Sequence, residues 1–313
     1  MSSAIIVKDL TKKFGDFVAV DKINFEVEEG KIFGFLGANG AGKSTTIRML
    51  CGLLQSTGGT ATVGGFDINY ESEKVKENIG YMSQKFSLYE DLTIDENINF
   101  FGLTYGLNAK EISERKKWIL NITQLIGEEN KTVKDLSVGI KQRLALGCAV
   151  LHRPKIIFLD EPTSGVDPLM RRRFWDLINE LSDEGTTIIV TTHFLEEAEY
   201  CNNILMIDAG KVIANGSPKE LKSKYLTMPI FEVKTNNVIE ALSLIENEKW
   251  AIEVSIFGTS LHVSVEDEIE GEKLIVKILN ENKVKINGIS KIVPSLEDVF
   301  IYLLEQKNRE KND

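Results

Sequence analysis

The sequence predicts an α/β fold, a parallel sheet flanked by helices, followed by a small α+β domain. Three observations carry that expectation. Residues 37–45 (GANGAGKST) fit the spacing G-x-x-x-x-G-K-[ST] and lie between an apolar run, residues 31–36 (KIFGFL), and a helical run, residues 45–51. Two further apolar runs, residues 155–160 (KIIFLD) and 186–192 (TTIIVTT), read as buried strands, because strands covered on both faces carry continuous rather than alternating apolar residues. Helical patterns separate these runs, as a parallel sheet requires.

The first motif is a phosphate-binding P-loop in its proper context of strand, glycine loop and helix. Gly37, Gly40 and Gly42 can take backbone angles denied to other residues and leave room for a phosphate. With Ala38, Asn39, Ala41 and Thr45 they supply N–H groups for an anion nest, backed by the positive end of the following helix. Lys43 provides a full charge for the β- and γ-phosphates, and Ser44 offers a hydroxyl to Mg²⁺. A chance match in a chain of this length is expected roughly once in a hundred, and the flanking strand and helix lower that further.

Taken in order, residues 4–10 read as an edge strand and residues 18–27 as a second strand with Ile23, Phe25 and Val27 on one face. A short strand, residues 60–63, is bracketed by glycine pairs, and residues 79–84 form a strand ending on Gln84. From about 86 to 150 the pattern is helical, clearest at 96–105 and 111–126, with a further helix at 144–151 stopped by Pro154. Helices are expected at 170–181 and 196–201, and a hairpin at 204–214 turning at Gly210. Met228 and Pro229 mark the domain boundary, giving domains 1–228 and 229–305. The second reads β (230–235), α (237–247), hairpin (250–265), α (268–281), β (283–292), α (295–305), a ferredoxin-like order. The charged tail, residues 306–313, is expected to fray.

Composition narrows the function classes. A formal net charge of −10 argues against a non-specific nucleic-acid binder. Cys51, Cys148 and Cys201 are sparse and form no C-x-x-C, so they read as buried small hydrophobes. The N-terminus has no basic region followed by a long apolar core, and no window approaches ~18 apolar residues, so a membrane role is expected to come through a partner.

Asp160 and Glu161 end the strand at 155–160. An acid pair there reads on its own as a helix N-terminal pair stabilised by a dipole. Downstream of a P-loop it reads instead as a metal-holding Asp160 and a water-polarising Glu161.

With these motifs in order the chain resembles the ATP-binding subunits of ABC transporters, over residues 4 to about 218. The resemblance implies ATP and Mg²⁺ as the bound species. It implies adenine stacking by Phe14, a Q-loop Gln84 reaching Mg²⁺ and the attacking water, a signature loop at residues 136–140 (LSVGI), a D-loop at residues 164–167 (SGVD) and a switch His193. Lys43, Gln84, Glu161 and His193 are then the catalytic set, with Ser137, Gly139 and Asp167 as further nucleotide contacts and Ser44, Gln84 and Asp160 as metal ligands. Alone, Gln84 is an ordinary surface amide and His193 a structural histidine; their joint order carries the resemblance. The signature departs from the usual L-S-G-G-Q at Val138 and Ile140, but Ser137 and Gly139, which bear the hydroxyl and N–H that bind phosphate, remain. Residues 294–300 (PSLEDVF) resemble the tail of drug- and antibiotic-export ATPases. They also read simply as a capped helix, with Ser295 at the N-cap and Asp298 at the third position.

The resemblance further implies a head-to-tail dimer with a second ATP-binding subunit. It also implies an integral membrane permease as partner, a place on the inner face of the cell membrane, and no nucleic acid. Residues 85–90 (KFSLYE), just after Gln84, are expected to meet the permease, since their apolar residues keep no helical or strand period. Two alternatives fit the P-loop alone: a soluble ABC-type ATPase of translation or DNA repair, and a small-molecule kinase. The first is expected to carry tandem cores or a long coiled-coil insertion; the second leaves residues 136–142 and His193 without roles.

Overall fold

A computed structural model describes residues 2–84 and 88–312. The chain divides into two units, Met1–Pro218 and Lys219–Asp313, so the division falls ten residues before the Met228–Pro229 break expected from sequence.

The first unit opens with a long hairpin, β1 (Ser3–Phe14) and β2 (Phe17–Glu28), followed by β3 (Ile32–Leu36) and α1 (Lys43–Leu50). Next come β4 (Gly58–Val63), β5 (Phe66–Asp67), α2 (Ser72–Asn78) and β6 (Ile79–Met82). A helical portion holds α3 (Ile94–Thr104), α4 (Ala109–Ile122) and α5 (Val138–Val150). The core then closes through β7 (Ile156–Asp160), α6 (Pro168–Asp183), β8 (Thr187–Thr192), α7 (Leu195–Ala198), β9 (Asn203–Asp208) and β10 (Lys211–Gly216).

Two sheets result. One is antiparallel in the order β2-β1-β4-β5, so β1 is an interior strand, not the expected edge. Its even alternation is disguised by register shifts near Val7 to Lys13 and by a left-handed Asp9 (φ 48), whose amide donates a hydrogen bond to Asn24 Oδ1 at 2.9 Å. The other has the order β10-β9-β3-β8-β7-β6, parallel except for the edge strand β10. The sheets meet through Phe25, Phe33 and Phe35, whose rings lie 5.1 to 5.6 Å apart. Each ring buried there contributes on the order of 1.5–3 kcal/mol.

Helix starts differ from the sequence reading for a definable reason. Glu96 and Glu111, expected to open α3 and α4, are instead the third residues of capping boxes whose N-caps are Thr93 and Asn108. Likewise α5 begins at Val138 rather than Leu144, so the signature segment forms its first turn. α5 is buried on almost every side, and its apolar residues therefore give no amphipathic period from which to read a start.

The division falls after the first residue of α8 (Pro218–Tyr225), and the second unit goes on through β11 (Ile230–Thr235), α9 (Val238–Ile245), β12 (Ala251–Phe257), β13 (Ser260–Val265), α10 (Glu268–Glu281), β14 (Ile286–Ile292) and α11 (Leu296–Asn312). Its antiparallel sheet runs β12-β13-β11-β14, the ferredoxin-like order. α11 continues through residues expected to fray, to Asn312. Its start is fixed by a reciprocal cap: the Asp298 amide donates to Ser295 Oγ at 3.2 Å and the Ser295 amide to Asp298 Oδ2 at 2.7 Å. The other Asp298 oxygen meets His262 Nδ1 of β13 at 2.6 Å.

Candidate functional site

The parallel strands β3, β7 and β8 deliver the P-loop, the acid pair and His193 to one edge of the sheet, at the strands' C-terminal ends, and Gln84 follows β6 there. In the P-loop, Gly40 and Gly42 have φ of 81° and 108°, a conformation only glycine takes without strain. A Cβ at Gly37 would sit 2.3 Å from the Ile207 carbonyl oxygen, so close packing against β9 excludes any side chain there. Thr46 Oγ1 donates to the Gly42 carbonyl at 3.0 Å and secures the loop to the first turn of α1. Lys43 is buried, and its Nζ donates to the carbonyls of Gly37 (2.8 Å) and Ala38 (3.1 Å). Burial lowers its pKa from the ordinary lysine value, opposed by the neighbouring Glu161 and Asp160.

Asp160 accepts hydrogen bonds from Ser44 Oγ at 3.0 Å and Thr191 Oγ1 at 2.7 Å. Burial raises its pKa, while those two hydroxyls and Lys43 hold it back. Thr191 also positions the next residue: the Glu161 amide donates to Thr191 Oγ1 at 2.8 Å. Glu161 takes a left-handed conformation, φ 49, which is strained for a non-glycine residue. From there its carboxylate meets Gln84 Nε2 at 2.9 Å, His193 Nδ1 at 3.5 Å and Lys43 Nζ at 3.6 Å. Three of the four residues expected to form the catalytic set thus converge on the buried carboxylate of the fourth.

A cleft of about 400 Å³ opens over this cluster, lined by Phe14, Phe17, Asn39, Gly40, Gly42, Lys43, Ser44, Thr45, Gln84 and Glu161. Phe14 is 51% exposed at its rim rather than packed under β1, with Lys12 Nζ 5.1 Å from its ring. The glycine φ values, the buried lysine and the Ser44–Asp160 hydroxyl–carboxylate pair fit a phosphate group beside a hard cation.

Ser137, Gly139 and Asp167 do not line this cleft. Ser137 is the exposed N-cap of α5 and makes no side-chain cap bond; Gly139 packs beside Val166 and Met170. Asp167 caps α6 by accepting from the Met170 amide at 3.0 Å.

Several residues escaped the sequence reading. Phe17 pairs directly with Phe14 across the hairpin turn, a pairing that the aromatics flanking Gly15 and Asp16 could have suggested. Thr191 and the buried polar group Thr163, Thr192 and Glu197 gave no signal, because threonines in a strand or turn and a glutamate in a helix are ordinary. Residues 85–87 of the expected permease contact lie outside the described residues. Of the rest, Leu88 is 7% exposed and belongs to the core, whereas Tyr89 is 48% exposed and packs edge-on to Phe100 at 4.5 Å.

Comparison with known proteins agrees with this geometry. The ABC transporter family matches residues 20–164, and the C-terminal domain of ATP-binding proteins like DrrA1-3 matches residues 216–303. The linearmycin resistance ATP-binding protein LnrL of Bacillus subtilis is 33% identical over 301 residues, covering 95% of this chain and 96% of LnrL. This chain belongs to the ABC transporter ATP-binding proteins. The probable multidrug ABC transporter ATP-binding protein YbhF of Escherichia coli is 50% identical over 222 residues, 71% of this chain, but the chain spans only 38% of YbhF. Among solved ABC structures, a Clostridium perfringens subunit described as part of the ABC transporter complex cbiONQ superposes with a TM-score of 0.67 at 30% identity, covering 72% of this chain and 92% of that one. A dimeric ATP-binding cassette bound to ADP and Pi superposes with a TM-score of 0.63 at 27% identity, covering 68% and 98%. The ABC membership does not favour a small-molecule kinase, and the transporter names of these relatives do not favour an ABC-type ATPase of translation or DNA repair.

Proposed function

We propose that this chain is the ATP-hydrolysing subunit of an exporter. In this reading ATP–Mg²⁺ sits between the P-loop of one subunit and residues 136–140 of a second, and a separate integral membrane protein carries the transport path. The observation that carries the reading is the convergence of Lys43, Gln84 and His193 on the carboxylate of Glu161 beside the P-loop.

The roles follow from the geometry. The loop amides and Lys43 hold the β- and γ-phosphates. Ser44 and Asp160, already hydrogen-bonded to each other, are the oxygen pair that would hold Mg²⁺, with Gln84 adjacent. When bound, the cation neutralises charge on the phosphate oxygens. Glu161 accepts a proton from the attacking water, oriented by Gln84; His193 lies against the same carboxylate oxygen as Gln84, and Lys43 faces the other. Phosphoryl transfer is mostly positioning and charge stabilisation, so a second subunit's Ser137 and Gly139 can gate it. The C-terminal match, the linearmycin-resistance name of LnrL and the multidrug-transporter name of YbhF support export as the process. Among the described residues no helix is long and apolar enough to cross a membrane, which fits a separate permease.

Replacing the general base tests the reading. Glu161→Gln should lower hydrolysis by roughly 10²–10⁴-fold while sparing ATP binding. A variant turning over at the wild-type rate removes Glu161 from that role.

A further inference from the structure

Glu197 is 1% exposed, and its carboxylate is engaged on both oxygens. Oε2 accepts from Thr192 Oγ1 at 2.7 Å. Oε1 accepts a short hydrogen bond from Thr163 Oγ1 and meets Arg171 Nε at 3.3 Å. Arg171 in turn lies over the ring of Phe194 at 4.1 Å and donates from Nη2 to the Val166 carbonyl at 3.4 Å. The partners therefore fall into two groups. Thr163 and Val166 belong to the loop after β7, which begins with Glu161. Thr192 and Phe194 flank His193 in the loop after β8, and the Phe194 amide donates back to Thr192 Oγ1 at 2.9 Å, closing the turn that presents the imidazole.

A carboxylate placed in so dry a position is unfavourable unless its lone pairs are satisfied and its charge is paired. An apolar side chain of similar size would fill the same space without that demand. Stability alone therefore does not explain why a carboxylate occupies this position, whereas a bridge between two loops needs an acceptor with two arms.

We propose that Glu197 is a positioning residue that locks the loop of residues 161–167 to the loop of residues 192–194, so that Glu161 and His193 keep their separation when either loop is displaced. It does not line the cleft over the P-loop. The inference rests on the proposed roles of Glu161 and His193, and it adds a device by which a second subunit pressing on residues 164–167 would be felt at His193.

The test uses the full chain, with ATP turnover normalised to nucleotide bound, so that a misfolded fraction does not count. Glu197→Gln breaks the pair with Arg171, and Glu197→Met keeps the volume. Both should lower kcat by on the order of 10²-fold, the effect of an ångström-scale misplacement. KM for ATP should stay within about twofold, the pattern of an interaction made only in the transition state. Thr163→Val and Thr192→Val, each losing one hydroxyl, should also lower kcat, and their combined effect should be less than the product of the two, since both open the same bridge. If the Glu197 variants do not fold, the threonine pair decides alone. Wild-type kcat in the folded Glu197 variants, or independent multiplication of the two threonine effects, overturns the proposal. Glu161→Gln run beside them separates the layers: if it still hydrolyses ATP, the reading of the site has failed; if it is inactive while the Glu197 and threonine variants match wild type, only the bridge has failed.

Discussion

The P-loop edge and the signature turn are built to opposite standards of completeness. Around Glu161 the polar groups are joined within the chain: Ser44 to Asp160, Thr191 to the Asp160 carboxylate and the Glu161 amide, and Gln84 to the Glu161 carboxylate, with Lys43 and His193 within 3.6 Å of it. At the start of α5 the pattern reverses. Ser137 is exposed without a side-chain cap bond and Val138 is 42% exposed, although a helix N-terminus leaves several amides unsatisfied. Replacing the usual signature glycine by valine at 138 places an apolar surface where water would otherwise solvate those amides. The difference teaches that the residues around Glu161 complete one another within the chain, whereas the turn at Ser137 does not, as the proposed trans role of that turn requires.

The sharpest way to break this contrast is Glu161→Gln, already expected to cost the most. Next comes complementation. Lys43→Ala disables the assembled half and Ser137→Arg the presented half, and each should be inactive alone. In a head-to-tail dimer the mixture retains one intact site per mixed pair, so roughly a quarter of wild-type activity should return by random pairing. Silence in the mixture would mean the two halves do not meet across subunits.

Tyr89→Glu places a charge on the exposed aromatic pair with Phe100 and should abolish co-purification with the membrane protein while ATP binding stays near normal. An intact complex would move the docking surface elsewhere. Leu88→Glu is not an equivalent probe, since Leu88 is core and its replacement by a charge would unfold the helical portion.

Smaller effects sharpen the account of the cleft. Phe14→Ala should weaken ATP binding by about 1–3 kcal/mol, by analogy with bases stacked on aromatics. Unchanged affinity in calorimetry, together with a lowered Tm, would make the ring a packing residue. The smallest effect belongs to the second unit. Burial pushes the Asp298 carboxyl up, but hydrogen bonds from His262 and Ser295 outweigh it, leaving the pKa below the ordinary aspartate value. A depressed folded pKa means that the stabilisation is complete above the unfolded value of 3.8 and is lost as pH falls through the folded one. Asp298→Asn should cost about 1–3 kcal/mol at neutral pH and flatten that acid dependence. Hydrogen exchange of the β13 amides reads both, and an unchanged acid profile would assign the loss to other carboxylates.

Much of this was legible in the sequence because the carrying signals are local. The P-loop is nine consecutive residues, and Asp160 and Glu161 announce themselves at the end of an apolar strand. The ferredoxin-like order of the second unit likewise followed from short consecutive runs, among them the hairpin at 250–265. What stayed hidden depends on contacts far apart in the chain. Thr191 pairs with Asp160 across 31 positions and Thr163 with Glu197 across 34. No propensity marks a threonine as the one that will face a carboxylate. The start of α5 was missed because a helix buried on all sides has no polar face to count from, and β1 because its bulges break the period that an interior strand would show.

The left-handed backbone of Glu161 has a consequence for anyone improving this protein's robustness. Asparagine tolerates that conformation better than glutamate, and glycine adopts it with no steric penalty at all. Either replacement would relax the turn after β7 and remove a buried acid, so selection for heat resistance alone would be drawn to position 161 and would discard the side chain on which Gln84, Lys43 and His193 converge.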